Sequence, residues 1–151
     1  MVATRPQRAP ITSPAAATVF STVLTQGPVS RVEVGRRTGL SSAAVTKAAR
    51  PFIDAGYLEE LASEERTGPG AGRPRSPLAI RADREFFVGV KITDDDLIGV
   101  VCDLRAQVRA TRHRALTSMD VPDVVAAMAA LVTDLVAPYR DRAYCLGVAI
   151  S

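Results

Sequence analysis

"PVSRVEVGRRTGLSSAAVTKAARPFIDAGYLEEL", residues 28–61, decides how the chain is read. Ser30 precedes a short periodic run of Val32, Val34 and the apolar stem of Arg36. Its hydroxyl can accept from the free amides of a helix start, and Glu33 stands three residues on, the spacing of a capping box. Gly39 is free to take a left-handed turn conformation, and Leu40 follows as an inward anchor. Ser41 is a second N-cap, opening a helix at Ser42. Helix, tight Gly-containing turn, helix is the spacing of a helix-turn-helix.

In the second helix Ala44, Val45, Ala48, Ala49 and Phe52 fall inward at helical spacing. The outer face carries Ser42, Ala43, Thr46, Lys47 and Arg50. Short hydroxyls and long cations suit a helix in a major groove, where Ser and Thr meet base edges or phosphates and Lys and Arg meet guanine edges or phosphates. The plainer alternative is an amphipathic helix with a solvated basic face. Pro51 removes a helical hydrogen bond, so a kink or loosening is expected there. Gly56 ends the helix, and residues 57–61 predict a first wing strand.

"RTGPGAGRPRSPLAI", residues 66–80, follows. Three Gly and three Pro between Thr67 and Pro77 exclude regular structure. Arg73 and Arg75 stand on this slim Gly/Pro backbone, and such an arginine can enter the minor groove of A·T-rich DNA. Gly72-Arg73-Pro74 also resembles the core of an AT-hook. A flexible linker carrying two arginines is the competing reading.

The 151 residues suffice for one ordinary domain or two small ones, and a hydrophobic content of 47% is ample for a core. Residues 1–14, rich in Pro, Ala, Thr and Arg, read as a disordered lead-in. No apolar run approaches the ~20 residues of a membrane span, and the N-terminus lacks a signal-peptide core. A cytoplasmic protein with no membrane contact is expected. Charge is uneven. Residues 1–80 hold ten Lys/Arg against six Asp/Glu, and residues 81–151 hold nine against ten. The basic excess lies with the helix-turn-helix, as an electrostatic footprint for nucleic acid should. It is modest, which implies that DNA is bound as a dimer or higher homo-oligomer. Cys102 and Cys145 are too few for a zinc set and read as buried free thiols. His113, in "Arg112-His113-Arg114", reads as solvated. No nucleophile–base pair stands out, so no catalytic and no metal residues are assigned.

After Arg84 the pattern changes. Residues 86–92 and 97–104 predict strands around a turn at Asp94, Asp95 and Asp96, and residues 107–113 predict a third. A helix follows over 121–139, capped by Asp120, with Val124, Val125, Met128, Leu131, Val132 and Leu135 on its apolar face. Residues 144–151 form a further strand.

Three strands, a helix and a strand open the actin-like ATPase fold. With "LSSAAVTKAARPFIDAGYLEE" (40–60), "GAGRPRSPLAI" (70–80) and "FFVGVKITDDDLIGVVCDL" (86–104), the chain resembles the ROK family of repressors, open reading frames and sugar kinases over residues 15–151. The resemblance implies an α+β chain: a winged helix-turn-helix at 15–80 and, at 81–151, the opening β-β-β-α-β part of an actin-like ATPase (ROK) domain, apparently truncated. It implies a sequence-specific DNA-binding transcriptional regulator, with double-stranded DNA as partner and a sugar effector on the missing part. Kinases of the family place an acidic residue and a Gly-rich turn at the first strand to hold ATP phosphates. Here Lys91 stands in place of the acid and Asp94 to Asp96 fill the turn, where carboxylates repel a triphosphate. No kinase activity and no cofactor in this chain are therefore expected. A ROK sugar kinase with an added N-terminal domain is the alternative. A winged helix that binds protein instead of DNA is a third reading, which the arginine-bearing wing disfavours.

Overall fold

A computed structural model describes residues 9–62 and 76–150. They fall into two compact units divided between Arg81 and Ala82.

The first unit opens with α1 (Pro14–Gln26), a helix not expected from the sequence; its first residue, Pro14, belongs to the stretch taken as a lead-in. Ser13 caps it, its hydroxyl accepting from the Ala16 amide at 3.1 Å, and Pro14 stands at the first position, where a missing amide costs nothing. Next come α2 (Arg31–Thr38) and α3 (Ser42–Asp54). The predicted caps form: Ser30 accepts from the Glu33 amide at 3.2 Å, and Ser41 from the Ala44 amide at 3.2 Å. Gly39, between the helices, has φ +72°. In α2 only Val34 is buried; Val32, two residues away and so on the far side of the helix, is 53% exposed.

The expected kink at Pro51 does not interrupt α3, which runs on to Asp54. Pro51 is exposed, where water can serve the carbonyl that loses its amide donor. The helix closes on Gly56 (φ +75°), with the Tyr57 amide donating to Phe52 O at 2.8 Å and the Gly56 amide to Ile53 O at 3.0 Å. These are the paired bonds of a Schellman cap.

The core of this unit draws Val19 and Val23 from α1, Val34 from α2, Val45, Ala49 and Phe52 from α3, with Tyr57, Leu58 and Leu78. Phe20 stacks on Phe52 at 4.7 Å and meets Tyr57 edge-on at 6.0 Å. β1 (Leu58–Glu60) pairs antiparallel with β2 (Leu78–Ile80), and Val29 exchanges two 2.9 Å backbone bonds with Leu78. β1 is shorter than the five residues expected.

The second unit is a four-stranded sheet in the order β5-β4-β3-β6, built from β3 (Phe86–Ile92), β4 (Asp96–Asp103), β5 (Val108–Ala115) and β6 (Ala143–Ile150). β3, β4 and β5 form an antiparallel meander, while β6 lies parallel to β3. Parallel pairing needs a crossover, and α4 (Val121–Val136) supplies it. Leu131 and Leu135 of α4 settle over Gly99, where a Cβ would come within 3.1 Å of both side chains. Around them Phe86, Val88, Val90, Leu97 and Val101 close the core. Val125, expected inward, is 51% exposed.

The helical stretch Val121–Tyr139 is, by length and composition, long and apolar enough to cross a membrane, contrary to the sequence reading. Its buried leucines and its place between two strands of one sheet give it a different role, that of a crossover helix. Asp120 caps it through its backbone, whose carbonyl accepts from Asp123 and Val124, rather than through its side chain. Cys102 is free but half-buried, not buried, and the side chain of Cys145 lies outside the described residues.

Candidate nucleic-acid interface

The outer face of α3 is set by its inner one. With Val45, Ala49 and Phe52 buried, helical spacing turns Ser42, Ala43, Thr46, Lys47 and Arg50 to the surface, and all five are exposed. Ser41 is exposed too, although its hydroxyl accepts the cap bond. The Thr46 hydroxyl donates to the Ser42 carbonyl at 2.9 Å, so its outward capacity is as an acceptor. Lys47 has no carboxylate partner among the described residues. Arg50 does: its Nε lies 2.9 Å from Asp54 Oδ1, one turn on.

Arg73 and Arg75, assigned to a minor-groove contact, lie outside the described residues, as does most of the loop between the wing strands. The strands flanking that loop are in place, with Leu61 donating to the Pro77 carbonyl at 2.9 Å beyond the last ladder pair.

The turn holding α2 against α3 depends on Gly35. A Cβ there would stand 2.8 Å from the Leu40 carbonyl oxygen, closer than folded proteins allow. α2 itself carries a charge cluster that the sequence reading did not assign. Glu33 takes Arg36 Nε at 2.8 Å and Nη2 at 2.7 Å, and Arg37 Nε at 2.5 Å. Arg37 also bonds Gln26, and Arg31 pairs with Glu60 of β1. Hydrogen bonds from Arg36 first, then Arg37, draw the Glu33 carboxyl down from 4.5 to about 2. The spacing that would have revealed the Glu33 cluster and the Arg50–Asp54 pair, acid and base three or four residues apart on one helix, is plain in the sequence.

In the second unit the β3–β4 turn closes on itself. The Thr93 amide donates to Asp96 O at 2.9 Å, and the Asp96 amide donates to Thr93 Oγ1 at 3.1 Å. Asp94 and Asp95 are exposed, as a solvated turn requires, and Lys91 is exposed on β3. His113, read as simply solvated, is 60% exposed and pairs through Nδ1 with Asp96 Oδ2 at 3.0 Å.

A three-helix helix-turn-helix with a two-stranded wing, followed by a β-β-β-α-β sheet, defines a winged helix ahead of the opening of an actin-like ATPase domain. No family model matches the chain. It is 32% identical over 128 residues to a transcriptional regulator of Mycobacterium bovis, covering 85% of this chain and 27% of that one. It is 28% identical over 100 residues to the DNA-binding transcriptional dual regulator NagC of Escherichia coli, covering 66% of this chain and 24% of NagC. The crystal structure of a ROK family transcriptional regulator, a homologue of the E. coli Mlc protein, has the same fold, with a TM-score of 0.66 at 22% identity over 89% of this chain and 34% of that one. In sequence the chain is similar to transcriptional regulators, and in fold to a ROK family regulator. It spans about a quarter of the length of the curated relatives it matches.

Proposed function

We propose that this chain is the DNA-binding part of a transcriptional regulator and that α3 reads an operator in the major groove. The observation that carries the reading is the exposed face of α3, where Ser42, Thr46, Lys47 and Arg50 stand over a buried Val45–Ala49–Phe52 ridge. Ser41 opens that face. Arg73 and Arg75 add minor-groove contacts from the wing loop. The name of NagC supports DNA as the partner. The regulator works in the cytoplasm as a dimer or higher homo-oligomer, and a sugar effector acts through the rest of the ROK domain.

The chain is not a kinase in this reading. Lys91 replaces the expected acid, and exposed Asp94 and Asp95 line the turn that would have to cradle phosphates. Micromolar ATP affinity in a calorimetric titration would favour the sugar-kinase alternative. The direct test is an electrophoretic shift in graded salt. Lys47→Ala and Arg50→Ala should each weaken binding while the helical circular dichroism stays unchanged, because exposed substitutions shift stability by no more than about 0.5 kcal/mol. Binding of both variants at the wild-type level would remove α3 from the interface.

A further inference from the structure

Among the described residues of the winged-helix unit, every arginine is paired with a carboxylate of the same unit. Arg31 takes Glu60, Arg36 and Arg37 take Glu33, Arg50 takes Asp54, and Arg81 takes Glu59. Two of these acids sit within the helix-turn-helix itself, Glu33 in the first turn of α2 and Asp54 in the last turn of α3.

We propose that Glu33 and Asp54 hold down the affinity of the helix-turn-helix for duplex DNA by occupying arginines that phosphates would otherwise take. The proposal rests on the DNA-binding reading above. An arginine already bonded to a carboxylate must release it to reach a phosphate. The released carboxylate then takes up a cation from solution, which offsets the counterion set free from the DNA. Affinity for arbitrary sequence falls, and so does its salt dependence. A cognate site, offering base-edge contacts as well, can compensate for the exchange. The two acids thereby favour discrimination over raw affinity.

Three observations support this role. The pairs are open to exchange: Arg36 and Arg50 are 71% and 75% exposed, Glu33 and Asp54 30% and 57%. Glu33 is engaged by three nitrogens at once, and its depressed pKa keeps it ionised wherever the protein would meet DNA. Asp54 stands at a helix C-terminus, where the helix dipole disfavours a negative charge, so within α3 what favours it is its pair with Arg50 one turn earlier.

The test titrates a fluorescein-labelled duplex of arbitrary sequence, about 20 base pairs long, with the full chain from about 50 to about 200 mM KCl, reading anisotropy. Wild type, Lys47→Ala, Glu33→Gln and Asp54→Asn are compared. Asp54→Asn should bind about fivefold tighter near ~150 mM salt, with a log–log salt slope steeper by about 0.9, since one more cation becomes available to phosphate. Glu33→Gln frees two arginines and should exceed that gain. If wild type binds and Lys47→Ala weakens it, but both amide variants keep wild-type affinity and slope, the proposal is overturned while the DNA-binding reading stands. If wild type fails to bind even at the lowest salt, the reading itself fails and the proposal with it. Should Glu33→Gln lose helical circular dichroism, Asp54→Asn decides alone, because its substitution removes a charge the helix end disfavours.

Discussion

Gly35→Ala sets two effects of opposite sign against each other. In an open helix position alanine would stabilise by about 0.8–1.0 kcal/mol over glycine. At this position the added Cβ meets the Leu40 carbonyl oxygen at 2.8 Å and Val45 Cγ2 at 3.9 Å. The Val45 contact is ordinary. The Leu40 contact is with backbone, in the turn that joins α2 to α3, and no rotamer change relieves it. Forcing a methyl into such a site costs about 1–3 kcal/mol. Because the contact is with backbone, the cost falls in the upper part of that range, about 2–3 kcal/mol, so the clash outweighs the propensity gain and a net loss of about 1–2 kcal/mol is expected. For a unit of this size that lowers Tm by roughly 4–15 °C. Gly39→Ala is the control: nothing lies within 4 Å of its Cβ, so its cost is the left-handed φ of +72° alone, about 1–2 kcal/mol. Thermal unfolding followed by far-UV circular dichroism reads both. They should part in DNA binding, because only Gly35→Ala pushes on the turn that positions α3. A Gly35→Ala variant melting at or above wild type would refute the contact argument.

Glu33 predicts a pH signature. Its folded pKa is depressed to about 2 from 4.5, so its ion cluster stabilises fully above the unfolded value and is lost as pH falls through the folded one. The stability gap between wild type and Glu33→Gln should therefore narrow as urea melts move from neutral pH into that acid window. Asp103 is a buried carboxylate accepting from the Arg105 and Gln107 amides and pairing with Arg109 Nη2 at 2.6 Å. Asp103→Ala strands these donors and should destabilise the second unit by about 2–4 kcal/mol, with Asp103→Asn losing less, as chemical denaturation would resolve. Arg73→Ala should weaken binding most on operators rich in A·T at the wing position; paired titrations on A·T- and G·C-flanked duplexes giving equal losses would reduce the loop to general phosphate contacts.

What was legible in the sequence was local. Ser30, Ser41 and Gly39 mark helix ends through bonds spanning three or four residues, and β3, β4 and α4 announce themselves by period. α1 does not, because it is built against its own propensity. Thr18, Val19, Thr22, Val23 and Thr25 are β-branched and weak helix formers. They are carried by burial of Val19, Phe20 and Val23, while the three threonine hydroxyls bond back to carbonyls four residues earlier. The orientation of α4 was hidden for a different reason. Its sequence is apolar nearly all round, so spacing alone admits Val125 to the inner face. The choice is made across the sheet by Gly99, whose missing side chain lets Leu131 and Leu135 sit closest to β4.

Glu33 shows where local rules stop. The capping-box spacing located the start of α2, and the Ser30 half of the box forms. The Glu33 half does not, because two guanidiniums lie within reach, and charge-assisted bonds to them outweigh one bond to a neutral amide. The same substitution of partners changes what the charge count means. An excess of basic residues over 1–80 reads as a footprint for DNA, yet the described arginines there are each matched by an acid, leaving Lys47 as the described cation of that stretch without a carboxylate. If affinity follows the charges a phosphate can reach without displacing a carboxylate, the basic residues that count are, among the described ones, fewer than the sequence holds.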